Sequence, residues 1–291
     1  FLALGYCHLQ VELLTRQMRY ASNLDEIHFQ NLAVAAATAA MEQDVDRARQ
    51  KITACFDLLA EERDHYYSVD AYLLDMTMLV PGTLGSLLEQ ELEVDLPGNL
   101  LRSAGLIEEM EAKHPRSLEM LKLGIEQCRV GLIGGVDSES AWPLMPLERL
   151  LADMEKGAAI YQRQLGRKVT VFGRRRFGLT PVLPQLLVKS GFVGAVHLTF
   201  EDGTFPEGSQ VKTRWEGTDA TSIDALARIP RNANQAETFL SLANRLGESM
   251  DMDHVATLCL AHWPGQTSPW YEDLRRVSRY TAALGRFVTV E

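Results

Sequence analysis

The sequence is short of the features that would assign it to several broad classes of protein. Its four cysteines form no C-x-x-C pair, so neither a disulfide framework nor a cysteine-rich zinc site is indicated, and a reducing compartment is favoured. Lys and Arg number 29 against 39 Asp and Glu, and the net charge of −10 argues against a role in binding nucleic acid. No apolar run approaches the roughly 18 residues that a membrane-spanning helix needs.

What the sequence does contain is typical of a globular domain. Its 291 residues are enough for one α/β barrel or two ordinary domains, and 46% of them are hydrophobic. The chain begins at Phe1 and in mid-pattern, so we expect it to be a fragment of a longer protein with further domains, and we expect a cytoplasmic location. The cysteines lie within apolar runs, and we expect all of them to be small buried residues: Cys7, Cys55, Cys128 and Cys259.

Two regions differ in their periodicity. Residues 1–67 are helical in pattern throughout, which indicates a helical subdomain or the end of a preceding domain. In residues 68–291, short apolar runs rich in Val, Ile and Leu alternate with helical segments, as expected for parallel strands joined by right-handed βαβ units. Strands are predicted near residues 70, 94, 130, 169, 195, 228 and 255, and we interpret them as a seven-stranded β/α barrel.

Acidic residues follow several of the predicted strands, at the carboxyl ends where ligand sites form in such folds. Asp137 and Glu139 come after a Gly-Gly turn and could supply the two carboxylates of glycoside hydrolysis, or could lie in a solvated loop that caps the next helix. Asp202 lies in an acidic turn after the strand near residue 195. It is placed to act as a general acid or base, or serves the turn alone.

Basic and aromatic residues occupy the other strand ends. Arg174, Arg175 and Arg176 would repel one another unless anions face them, so they either bind an acidic sugar, phosphate or carboxylate or form salt bridges with nearby acids. The remaining candidates are two histidines and two tryptophans, and the alternative for each is a packing role. His197 lies within an apolar strand, His262 and Trp263 end the clearest strand, and Trp215 could stack against a sugar ring.

Three segments of this second region have counterparts in a known family. Residues 107–135 read as helix, long helix and strand before the turn Gly134-Gly135-Val136-Asp137, and residues 161–169 read as a helix ending at Gly166. The run Arg175-Arg176-Phe177-Gly178-Leu179-Thr180 then ends a strand. This order resembles the N-terminal catalytic domain of family-38 glycoside hydrolases, the α-mannosidases, and more broadly the seven-stranded glycoside hydrolase/polysaccharide deacetylase barrel.

The sequence departs from the family at the residues that carry the family's chemistry. The resemblance places Arg175 where the family has an Asp that is both nucleophile and zinc ligand, and an Arg can be neither. The first strand of the family supplies two zinc ligands, whereas Leu73-Leu74-Asp75-Met76-Thr77 supplies Asp75 alone. With His262 that gives two candidate ligands, fewer than a zinc site uses. We therefore predict no metal ligands and no cofactor, with zinc implied only by the resemblance.

Three functional hypotheses remain open. The first is a carbohydrate-active hydrolase, α-mannosidase-like by resemblance, with acids and bases drawn from Asp75, Asp137, Glu139, Asp202 and His262. The second is a catalytically silent barrel that binds a glycan or another small anionic ligand through the arginines and Trp263. The third is a structural domain of a larger protein. Arg175 paired with the strand-end carboxylates would favour the second.

Overall fold

The computed structural model describes residues 1–17, 22–176, 180–196, 212–227, 229–252 and 255–291, except for the side chain of Met252. These residues form eleven α-helices and ten strands. The helices are α1 Leu2–Gln17, α2 Glu26–Met41, α3 Val45–Tyr66, α4 Ser86–Leu92, α5 Gly105–Lys113, α6 Pro115–Glu126, α7 Leu147–Leu165, α8 Leu183–Lys189, α9 Ala236–Leu240, α10 Leu242–Met252 and α11 Pro269–Ser278. The strands are β1 Ala71–Met78, β2 Gly98–Leu101, β3 Val130–Gly134, β4 Val171–Gly173, β5 Gly194–Val196, β6 Lys212–Glu216, β7 Ser222–Leu226, β8 Arg231–Asn232, β9 Ala256–His262 and β10 Arg286–Phe287.

The chain divides into two compact units. The first contains Phe1–Leu73, Ala233–Leu258 and Thr267–Arg286, and the second contains Leu74–Asn232, Cys259–Gln266 and Phe287–Glu291. The predicted helical subdomain of residues 1–67 falls within the first unit, which also includes later helices. Its boundary at residue 67 stays a prediction. None of the described helices combines the length and hydropathy that a bilayer span requires.

Buried polar contacts help to join the helices of the first unit. The Tyr6 hydroxyl and the Gln10 amide of α1 both donate to the carbonyl of Phe239 in α9, at 3.1 and 3.0 Å. Gln10 Oε1 also accepts the backbone N–H of Ala243 at 2.9 Å. These bonds satisfy backbone groups at the junction between α9 and α10, where α9 ends at Leu240 and α10 begins at Leu242.

The strands form one sheet in the order β6-β7-β5-β4-β3-β2-β1-β9-β8, with β10 paired to β1. Neighbours from β1 to β5, together with β5–β7 and β8–β9, are parallel, and β6–β7 is antiparallel. The predicted α/β fold with a mostly parallel sheet is confirmed, and it is consistent with a barrel-type fold. Strands β1 to β5 and β9 lie near six of the predicted positions, whereas residue 228, the seventh, lies outside the described residues, between β7 and β8. The strand count of seven and the closure of a barrel stay predictions.

Alternating side chains divide the sheet of the second unit into two faces. We call inner the face that carries one apolar cluster, built from Leu74, Met76, Met78, Leu101, Ile133, Val171, Val196, Cys259 and Ala261. The outer face carries the intervening residues, such as Leu100, Leu132 and Phe172, which pack in clusters with residues of the covering helices. Because successive side chains of a strand point to opposite faces, this division also assigns each residue at a strand end to a face.

One expectation about the cysteines is wrong. All four are free thiols, and three are buried, but Cys128 is exposed. It follows the end of α6 with a φ of 56°, a left-handed conformation that reverses the chain before β3. The buried part of the apolar run begins only at Val130, two residues later.

Candidate functional site

Arg175 occupies the inner face just beyond the end of β4. Its backbone N–H donates to Glu139 Oε1 at 2.8 Å, and its Nε and Nη2 donate to Glu139 Oε2 at 3.2 and 3.1 Å. Both side chains are largely buried, with 16% and 19% of their surface exposed. Both oxygens of Glu139 are therefore engaged by a single residue, Oε1 by the backbone N–H and Oε2 by two nitrogens of the guanidinium.

Trp263 is the third member of this group. It follows β9, which is not a neighbour of β4 in the sheet. Its ring centroid lies 5.3 Å from the guanidinium carbon of Arg175, and the indole packs against the inner apolar cluster. This distance is within the range of a cation–π contact. We call Glu139, Arg175 and Trp263 the strand-end site. It is half-buried and lies where ligand sites form in folds of this kind.

Arg174 points away from this site and is buried on the outer face. Its guanidinium lies 4.2 Å from the ring centroid of Trp142, and Nη2 donates to the carbonyl of Ser140. Burial lowers the pKa of Arg174 to about 10, against the opposing influence of Glu139 and Asp153. Arg176 is exposed, so the three adjacent arginines do not form one cluster.

Asp75 and His262 meet on the outer face of the neighbouring strands β1 and β9. His262 Nε2 lies 3.0 Å from Asp75 Oδ1, an ion-pair contact without the alignment of a directed hydrogen bond, and 3.3 Å from Thr77 Oγ1. On its other side, His262 Nδ1 lies 3.1 Å from the carbonyl of Trp263. A carbonyl only accepts, so Nδ1 carries a proton. The strand alternation thus places Asp75 and His262 on the opposite face of the sheet from Arg175.

Asp137 belongs neither to the strand-end site nor to the contact between Asp75 and His262. Its Oδ2 accepts a hydrogen bond from Lys156 Nζ at 2.7 Å, and this bond raises the pKa of the exposed Lys156 amine. The backbone of Asp137 bonds with Gly105 at the start of α5 and with Asp153 in α7. Three of the acids that the sequence singled out lie within the described residues, and each contacts a different basic side chain.

The remaining candidates fall elsewhere. Asp202 and His197 lie outside the described residues. Trp215 is partly buried in β6 and packs against the outer-face cluster of Phe172, Leu183 and Ile223. It therefore does not lie beside Trp263 in the strand-end site.

Several residues of these contacts were not singled out by sequence reasoning. Thr77 could have been, because Asp75 and Thr77 are two apart on a strand and share a face. Trp142 and Asp153 gave no such signal, although Trp142 Nε1 donates to Asp153 Oδ2 at 2.7 Å beneath Arg174. Arg102 is buried beyond the end of β2, 5.1 Å from the Tyr161 ring centroid, and burial lowers its pKa.

A cavity of about 580 Å³ also opens on the inner face of the second unit. It lies beside the first residues of β4 and β5, and its lining is mostly apolar. The charged residues in this lining are Lys212, Arg214 and Asp224, and Arg214 lies 3.6 Å from Asp224. A lining with one carboxylate does not supply the pair that glycoside hydrolysis uses.

The described residues do not fit the zinc ion that the resemblance implies. Among them, no three His, Cys, Asp or Glu side chains come together in a way that could hold a metal ion. The nearest approach to the expected ligand set is Asp75 with His262, and these two contact each other. A zinc site needs three or four donors that converge on one point.

No family model and no curated protein matches the chain. Solved structures do share its fold. An α-mannosidase from Enterococcus faecalis V583 is 14% identical, with a TM-score of 0.57 over 77% of this chain and 28% of its own. A 4-α-glucanotransferase from Thermococcus litoralis is 16% identical, with a TM-score of 0.50 over 76% of this chain and 37% of its own. A protein described as a polysaccharide deacetylase from Mycobacterium smegmatis is 11% identical, with a TM-score of 0.51 over 76% of this chain and 87% of its own.

These similarities show the fold. The chain shares an α/β, barrel-type fold with an α-mannosidase and a protein described as a polysaccharide deacetylase, which agrees with the resemblance in the sequence at the level of the fold. It spans under two fifths of the length of the mannosidase and the glucanotransferase.

Proposed function

We propose that this chain is a carbohydrate-binding domain, related to the α-mannosidases of glycoside hydrolase family 38, that has lost hydrolytic activity. The observation that carries the proposal is the position of Arg175. By the resemblance in the sequence it corresponds to the family's nucleophile, and it holds both oxygens of Glu139. A guanidinium cannot form a glycosyl ester, and it donates protons without accepting them.

The other acids support the loss of hydrolysis. A glycosidase needs two carboxyl groups about 5–5.5 or 6.5–9.5 Å apart across the scissile bond. Here Glu139 is bonded to Arg175, Asp137 to Lys156, and Asp75 to a histidine on the other face of the sheet. Each of these three candidate acids is thus engaged by a basic side chain.

The strand-end site keeps chemistry that suits a sugar. An indole offers an apolar surface to the C–H face of a pyranose, and an Arg–Glu pair offers both donors and acceptors to its hydroxyl groups. The guanidinium also favours a ligand that carries a carboxylate or phosphate. We therefore expect an acidic sugar to bind more tightly than a neutral one.

Calorimetric titration and a hydrolysis assay test the proposal together. We expect methyl α-mannoside and glucuronate to bind, with glucuronate the tighter ligand, and Trp263→Ala to weaken both at least tenfold. Trp215→Ala is the matched control, since it removes an indole from the outer-face cluster and should leave the affinity within about twofold. Binding of neither sugar would overturn the proposal.

An α-mannosidase remains the second candidate, because one of the solved structures with a similar fold is an α-mannosidase and barrel enzymes place their sites at strand ends. Release of nitrophenol from 4-nitrophenyl α-mannoside distinguishes the two candidates. We expect no release above the buffer rate. Turnover that disappears in Glu139→Gln would instead assign hydrolysis to this site.

A further inference from the structure

We propose that Asp75 and His262 are positioning residues, which hold Trp263 in the strand-end site from the opposite face of the sheet. The inference rests on the proposed function, since it concerns how the same site is assembled. Neither side chain is exposed enough to meet a ligand, with 6% and 0% of the side-chain surface accessible. Their effect on binding would therefore act through the backbone.

Contacts on both sides hold the imidazole of His262 in place. His262 lies between Asp75 and Thr77 on one side and the carbonyl of Trp263 on the other, at distances of 3.0 to 3.3 Å. A buried ring with partners at both nitrogens has one orientation, in which Nδ1 faces the carbonyl of Trp263 and Nε2 faces Asp75 and Thr77. Asp75 is itself held, because Asn99 Nδ2 donates to its backbone carbonyl at 3.0 Å.

The turn that follows β9 holds the backbone at Trp263. The carbonyl of Trp263 accepts from His262 and also from the backbone N–H of Gln266, at 3.0 Å, which closes the turn. Gly265 has a φ of 72° within it, a conformation that glycine adopts without strain. Two donors on one carbonyl fix the peptide plane after Trp263. That plane restricts the backbone from which the indole extends toward Arg175.

The contact at each imidazole nitrogen can be removed separately. The amide nitrogen of Asn lies near the position of Nδ1 and that of Gln near the position of Nε2. His262→Asn therefore retains a donor to the Trp263 carbonyl, whereas His262→Gln keeps a nitrogen beside Asp75 and loses the donor to the carbonyl. Both changes remove the same ring, so each is the control for the other.

The measurement is the ¹⁹F spectrum of protein labelled with 5-fluorotryptophan, with the Trp263 signal assigned by Trp263→Phe. We expect His262→Gln to shift or broaden that signal and to weaken glucuronate binding at least tenfold more than His262→Asn does. Equal effects of the two substitutions would overturn the inference. If Trp263→Ala itself leaves binding intact, the proposed function fails, whereas the ¹⁹F comparison still tests the positioning.

A measurement on the unaltered protein covers the case in which His262→Gln does not fold. The amide of Gln266 donates to the same carbonyl, so a held turn should protect it from hydrogen exchange as strongly as the amides of β9. Exchange at the rate of an exposed loop amide would show that the turn is not held, and would overturn the inference.

Discussion

Glu139 accepts three hydrogen bonds from one residue, Arg175, through the backbone N–H and two guanidinium nitrogens. The pair joins the segment after β3 to the end of β4 and lies against the indole of Trp263. Both oxygens of this carboxylate are engaged, with one of the three bonds at Oε1 and two at Oε2. The pair thus links two segments that follow neighbouring strands of the sheet.

We expect Glu139→Ala to lower the free energy of unfolding by about 2 kcal/mol, because it removes charge-assisted hydrogen bonds in a largely buried place. Urea denaturation measures this loss. Lys113→Ala is the control: it breaks an exposed pair with Glu109, four residues earlier on α5, and should cost only about 0.3–0.5 kcal/mol. Similar losses in the two variants would contradict a structural role for the Glu139 pair.

Two inward-facing glycines should respond in opposite ways to alanine. A Cβ on Gly173 would lie 2.3 Å from Ile133 Cγ2, so we expect Gly173→Ala to destabilise the protein by about 1–3 kcal/mol. At Gly194 the nearest atom is 3.7 Å away, and alanine there should be neutral or stabilising by about 0.4–1 kcal/mol, because it restricts the unfolded chain. Thermal melts of both variants check the difference. The reverse order would be inconsistent with this packing of the inner face.

The buried guanidinium of Arg174 should make the free energy of unfolding depend on pH in the alkaline range. Its pKa in the folded protein is about 10, below the ordinary value of 12.5, so between these pH values the unfolded chain binds more protons. Stability from this group therefore rises with pH across that window. We expect the wild type to gain stability relative to Arg174→Met as the pH increases from about 9 to 11 in urea titrations. A difference that stays constant would refute the assignment.

Only one thiol should react in the native protein. Cys128 is exposed, whereas the other three cysteines are buried, and burial raises the pKa of the Cys7 and Cys55 thiols. We expect a disulfide reagent such as DTNB to label one thiol per native chain and four in urea. Cys128→Ser should abolish the native reaction. A second reactive thiol in the folded state would contradict the burial of the others.

The sequence predicted those parts of the fold that depend on local pattern. The helix before Gly166 ends there as expected, with the glycine in the left-handed conformation at φ 68°. The strand ending at Gly134 is also where the apolar run placed it. Cys128 was predicted wrongly because an apolar run does not show which of its residues still belongs to the preceding turn.

The site was less predictable, because its contacts join distant parts of the chain. That Arg174 and Arg175 face opposite sides follows from strand alternation and could have been inferred. The contact between Arg175 and Trp263 could not, since the two residues follow strands that are not neighbours in the sheet order. Asp75 and His262 were expected to act as acid and base, and whether they do is not tested by their contact with each other.

Asn99 bonds through its amide to the last residues of the chain. Its Nδ2 donates to the carbonyl of Val288 and its Oδ1 accepts the N–H of Val290, 191 residues away along the sequence. Closing so long a loop carries an entropic cost before any contact offsets it. During synthesis, the ribosome must release residue 290 before this side chain is satisfied. We therefore expect the second unit to complete its core after translation of this segment, in a slow step dominated by contacts that are remote in sequence.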